Sequence, residues 1–140
     1  RQDAAIIKLS VGGVTHGARG IEPANTYAIY VTHGAGGGIY TGTAVNRNER
    51  FSYTLEGIDA LIVGHAHKGA ITRPARMCVD VNHSLVTMRD VVVASMCPWQ
   101  RFGGYALRKM ILPSAEASMD NPQTLTLSGR QRNKNITVTW

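Results

Sequence analysis

His33, His65 and His67 stand just past stretches of sequence that read as buried strands, and the chemistry open to imidazoles held there is metal coordination. In Gly64-His65-Ala66-His67 the two rings are two residues apart, and Gly64 leaves the backbone free to bend so that both can reach neighbouring points. Neutral imidazole suits borderline divalent ions, and a rigid strand end fixes it firmly enough to coordinate one. An H-x-H pair alone is a weak signal. His33 strengthens it, because a parallel strand connection would set both strand ends on one edge of a sheet. Of the chain's five histidines, the remaining two read as solvent-facing: His16 lies in a loop beside Gly17, and His83 precedes a turn. Cys78 and Cys97 form neither a C-x-x-C pair nor a disulfide framework, so both read as reduced, packing thiols.

Several elements must position these side chains. Residues 4–10 form a short apolar strand broken by Gly12 and Gly13, and a loop rich in Gly, Pro and small polar residues follows to Asn25. Residues 26–32 are dense in β-branched and aromatic side chains and predict a buried strand running straight into His33. The glycine-rich turn beyond it, with Gly36, Gly37 and Gly38, would let backbone N–H groups approach a ligand. Asn46 with Glu49 three residues later suggests a capping box, and Phe51, Leu55 and Ile58 give an apolar stripe. A helix is therefore expected over about 47–56, closed by Gly57. Residues 59–63 form another apolar strand, so strand, glycine loop, helix and strand make a βαβ unit with parallel pairing.

Downstream, residues 76–81, 84–89 and 91–96 read as an antiparallel meander, and 105–112 as a further strand before a loop over 113–122. Residues 124–128 and 136–140 look like a closing hairpin, with the basic run from Arg130 to Lys134 as its solvated tip. Trp99, Trp140 and Tyr105 read as packing residues.

On these residues the chain resembles the calcineurin-like metallophosphoesterases. Gly64-His65-Ala66-His67 after a buried strand matches that family's terminal G-H-x-H signature, and Tyr30-Val31-Thr32-His33-Gly34 is similar to its single-histidine motif. The glycine run and residues 46–55 look like a branch common in bacteriophages and prophages. The likeness covers about residues 4–68, and the later strands only loosely. It implies a binuclear centre holding two divalent metal ions, Mn, Fe or Zn, inside a β-sandwich flanked by helices. By motif position, His33 and His65 would bind one ion and His67 the other, with a bridging hydroxide as nucleophile. Backbone N–H groups at Gly36 and Gly37, together with Arg47 or Arg50, would steady the phosphate. The family's upstream motifs, D-x-H, G-D-x-x-D or N, and G-N-H followed by D or E, are absent from the 32 residues before His33. No catalytic acid or base is therefore assigned in this chain. Asp80-Val81-Asn82-His83 lacks the glycine of the last motif and lies downstream.

The implied fold class is α/β: the C-terminal half of a metallophosphoesterase-type αββα sandwich, β-rich with one main helix. Residues 1–140 are expected to form a single domain, the C-terminal part of a longer one, with a split or degenerate enzyme as the alternatives. Such a half would expose apolar faces and sheet edges, so self-association or pairing with an N-terminal half is expected.

Composition bounds the rest. Apolar residues at 44% and charged residues at 17% suit a globular interior, and no run approaches the roughly 18 apolar residues of a membrane span. With Lys and Arg at 15 against Asp and Glu at 9, anionic partners are favoured: a phosphate ester, a nucleotide or nucleic acid. A cytoplasmic setting, that of a bacterial host for a phage protein, is the expectation. The leading reading is a metal-dependent phosphomonoesterase or phosphodiesterase. Its rivals are a non-enzymatic, basic, β-rich phage-type module that binds nucleic acid or assembles with protein, and a single-zinc site of three histidines.

Overall fold

The computed structural model describes residues 3–15, 21, 22, 24–35, 40–65, 67–98, 104, 108, 122–129 and 134–139. Its elements, in chain order, are β1 (Ala4–Val11), β2 (Val14–Thr15), β3 (Ile21–Glu22), β4 (Asn25–Thr32), α1 (Thr41–Ser52), β5 (Ala60–Val63), β6 (Ala70–Thr72), β7 (Ala75–Asp80), β8 (Leu85–Asp90), β9 (Val92–Ser95), β10 (Thr124–Leu127) and β11 (Ile136–Thr139). The described part of the chain is thus mostly β-sheet with one principal helix. No helix among the described residues is long and apolar enough to cross a membrane.

One five-stranded sheet, in the order β1-β4-β5-β9-β6, organises the molecule. Strands β4, β5 and β9 run parallel, with Ile29 opposite Ala60 and Ala60 opposite Val92, while β1 and β6 close the sheet antiparallel. The centre is parallel because α1 carries the chain from the end of β4 back to the start of β5, as the βαβ reading requires. The short central strands are apolar on both faces, as they must be when both faces are covered. On one face Tyr27, Ile29, Ala60 and Val92 pack with Ile136, joined by Leu125, Leu127 and Val138, so the β10–β11 hairpin is the cover. On the other, Leu61, Val63, Val91 and Val93 pack with Ile58, Leu55 and Tyr30, beneath α1 and its exit turn.

Three expectations need correction. The helix runs from Thr41 to Ser52, flanked by Tyr40 and Tyr53, rather than over 47–56. Its buried face is Ala44, Asn48 and Ser52, small and polar residues at four-residue spacing that an apolar stripe cannot reveal. Leu55 and Ile58 lie past its end and pack from the turn instead, and Asn46 sits inside the helix, not at its cap.

The proposed meander also stops after its first two strands. β7 and β8 form an antiparallel hairpin, but β9 leaves it and enters the main sheet parallel to β5. Val92–Ser95 is buried at every position, which fits a central parallel strand and not the third strand of a half-exposed meander. Finally, Arg108, the described residue of the 105–112 strand expectation, is helical.

The closing hairpin holds, with Thr124 opposite Thr139 and Leu127 opposite Ile136. Lys134 is exposed, and its ammonium also reaches back to Asp59. Cys97 is buried as a packing thiol should be, whereas Cys78 is exposed on β7. His83 is exposed in the β7–β8 turn as expected, its ring against the Asp80 carboxylate at 2.8 Å. His16, Gly36, Gly37, Gly38, Trp99, Tyr105, Trp140, the basic run over 130–133 and the loop over 113–121 lie outside the described residues.

Candidate metal centre

Parallel strands end together, and the carboxyl edge of β4, β5 and β9 is where the chain leaves the sheet at His33, Gly64 and Met96. Two glycines let the first two exits lie close. Gly34 adopts φ +72°, and a β-carbon on it would meet Val63 Cγ1 at 2.5 Å. A β-carbon on Gly64 would stand 3.3 Å from the His33 carbonyl oxygen and 3.8 Å from its Nδ1. With those side chains absent, His33 and His65 meet: His33 Nε2 lies 2.6 Å from His65 Nδ1, and their rings sit 4.6 Å apart at 72°.

His67 completes the group, its ring 5.6 Å from that of His65. His65 and His67 both hold left-handed backbone, at φ 62° and 53°, a conformation that histidine tolerates better than most residues.

The electrostatics favour neutral imidazole at His67. Burial is the main influence and disfavours the charged ring; the neighbouring His65 and His33 add to it, and together they hold His67 below its ordinary pKa. Its Nδ1 is buried and has no hydrogen-bond partner among the described residues. An imidazole nitrogen shut away from water without a partner is a costly arrangement that a bound cation would relieve.

Among the described residues the donors at this edge are three imidazoles, a set that suits one ion. Among the described residues, no group of three or more His, Cys, Asp or Glu side chains is already arranged around a metal position. The reason is visible in the His33–His65 contact: nitrogens about 2.1 Å from one tetrahedral ion stand roughly 3.4 Å apart, so a pair at hydrogen-bond distance must open to chelate. Three imidazoles can then hold one borderline ion with a position left open. A second ion would require carboxylates that this cluster does not contain.

Both arginines lie on α1, three residues apart. Arg47 is half-buried in the middle of α1, its Nε 3.4 Å from Asn48 Oδ1. Arg50 is exposed in the last turn, at the end from which the chain returns to the amino end of β5, away from the histidine edge. The other end of α1, on the histidine side of the sheet, has no side-chain cap and no acidic residue in its first turn, so its positive dipole end faces that side, where the Thr43 N–H bonds the Tyr40 carbonyl.

Sequence reasoning missed two polar constellations. Asn48 donates to Ser95 Oγ at 2.6 Å, a buried bond joining α1 to the last residue of β9. At the opposite edge, Asp59 accepts from the Ala28 N–H at 2.8 Å, from Arg89 at 2.9 Å and from Lys134 at 2.8 Å, beside a cavity of about 390 Å³. Neither pairs residues close in sequence, and no local motif announces them.

No protein-family model, curated protein or solved structure matches this chain.

Proposed function

We propose that the chain carries the imidazole part of a divalent-metal site in a metal-dependent phosphoesterase that hydrolyses a phosphomonoester or phosphodiester. The observation that carries the reading is the approach of His33, His65 and His67 at one strand edge, with His67 Nδ1 buried and unpartnered among the described residues. The phosphate half of the reading rests on the G-H-x-H sequence and its upstream histidine. The positive dipole end of α1 and the charge of +6 agree with an anionic substrate.

The residues take defined roles. His67, neutral at pH 7, presents a lone pair without first having to lose a proton. His33 and His65 exchange their mutual hydrogen bond for coordination, and Gly34 and Gly64 keep the two exits close enough for both to serve. A bound ion supplies an acidified water and neutralises charge on the phosphoryl oxygens.

Metal content tests the reading directly. Protein equilibrated with Mn or Zn and then desalted should retain about one ion per chain by mass spectrometry, and His33→Ala, His65→Ala and His67→Ala should each lower the affinity by at least about tenfold. Hydrolysis of p-nitrophenyl phosphate or its bis ester should follow occupancy. If the triple variant binds metal as the parent does, the proposal fails. Salt-sensitive DNA binding that ignores metal would point instead to the non-enzymatic module.

A further inference from the structure

Strand β1 is an edge. It pairs with β4 along its whole length, and no described strand lies on its other side. The phase of its hydrogen bonds follows from one contact: His33 N–H donates to the Asp3 carbonyl at 3.1 Å, so the odd-numbered residues of β1 face β4. Ala4, Ile6, Lys8 and Ser10 therefore direct their N–H and C=O groups outward. Exposed alongside are Ile6 at 73%, Ile7 at 42% and Leu9 at 39%. A long edge of this kind, with one lysine as its only charge, is a template for another strand.

We infer that the occupant is a second copy of this chain, its β1 pairing antiparallel with this one about a two-fold axis at Ile7. Three features single out that strand. First, an axis at Ile7 sets Ala4 opposite Ser10 of the partner subunit and Ile6 opposite the partner's Lys8, so all four outward residues find hydrogen-bonding counterparts in an isologous seam. Moving the axis one residue, to Lys8, would face the two lysines and leave Ala4 beyond the strand end.

Second, the side chains match in that register. Ile7 meets the partner's Ile7, and Leu9 meets the partner's Ala5, on the face that already carries Tyr27 and Ile29. Third, the surface beside Ile6 has room for the partner's Lys8. A shallow hollow of about 460 Å³ lies beside Ile6, lined also by Asp3, Ala4, Ala5 and Tyr30. The register sets the partner's Lys8 opposite Ile6 at this hollow, its aliphatic stem along that side chain. Elsewhere both copies are basic, so added salt should tighten the seam by screening their repulsion.

A single strand seam buries less than the roughly 800 Å² per partner of a standard stable interface, so a reversible dimer with Kd in the micromolar range is expected. Sedimentation velocity on the intact chain from about 1 to about 200 µM reads it. Ile6→Lys sets a lysine against the partner's Lys8 twice over and should raise Kd by about tenfold or more. The double variant Ile6→Lys, Lys8→Glu converts both contacts into opposite-charge pairs and should recover most of the loss. Both substitutions lie at outward positions that give β4 no hydrogen bond, and unchanged circular dichroism will verify the fold. A monomer throughout the range overturns the inference, as does a dimer indifferent to Ile6→Lys or a double variant no tighter than the single one. None of these outcomes depends on metal, so the seam and the histidine site stand or fall separately.

Discussion

Asp59 ties three separate stretches of chain together. Its carboxylate takes hydrogen bonds from the β4 backbone at Ala28, from Arg89 of β8 and from Lys134 near the start of β11. Burial is the largest single influence and would raise its pKa, but the bonds from Lys134, Ala28 and Arg89 together outweigh it and hold the group below the ordinary carboxylate value. A carboxylate depressed on folding contributes stability that is complete above its unfolded pKa of about 3.9 and is lost as pH falls through the lower folded value. Asp59→Asn should therefore cost about 2 kcal/mol at pH 7, and its urea midpoint should fall less than the parent's between about pH 4 and pH 2. Parallel acid dependences in the two proteins would remove Asp59 from that role. Asp59 was legible as the start of a strand, but not as a clamp, because its partners lie 30 and 75 residues away. The histidines were the opposite case, since their position just past two apolar strands could be read from the sequence.

Elements differ in how firmly they are held. The β10–β11 hairpin covers one face of the sheet and is fastened by Tyr27, whose hydroxyl lies 2.6 Å from the Ser128 carbonyl and 3.1 Å from that of Asn135, and accepts from the Asn135 N–H. Removing that hydroxyl in Tyr27→Phe should cost about 1–2 kcal/mol and speed amide exchange in β10 and β11 while leaving β5 and β9 protected. Uniform loss of protection would mean that the hairpin and sheet open as one unit. The βαβ succession and this hairpin were both readable from residue patterns. The helix limits were not: its seated face depends on Asn48 finding Ser95, a polar pairing that becomes favourable only once both are buried.

At the scale of the whole molecule, the β7–β8 hairpin stands out as a ribbon with one apolar face. Met77 pairs with Met88 and Val79 with Val86 on that face, and all four side chains are exposed. Such a face adds little to stability in the isolated chain, so Met77→Thr with Val86→Thr should shift stability by less than about 0.5 kcal/mol while reducing fluorescence of a bound hydrophobic dye. A large loss of stability would show that the ribbon packs against something in solution.

What the sequence alone determined is local: which stretches alternate or stay apolar, where glycines interrupt them, and that three histidines follow strands. Those properties are set by backbone sterics and side-chain periodicity, which neighbours in sequence share. Only the tertiary structure decided that β9 joins β5 instead of β8, that the helix seats a polar face, and that His33 comes within hydrogen-bond reach of His65. Each of these rests on the burial of surfaces brought together from distant parts of the chain, where desolvation and close packing select one arrangement from several that the local patterns allow.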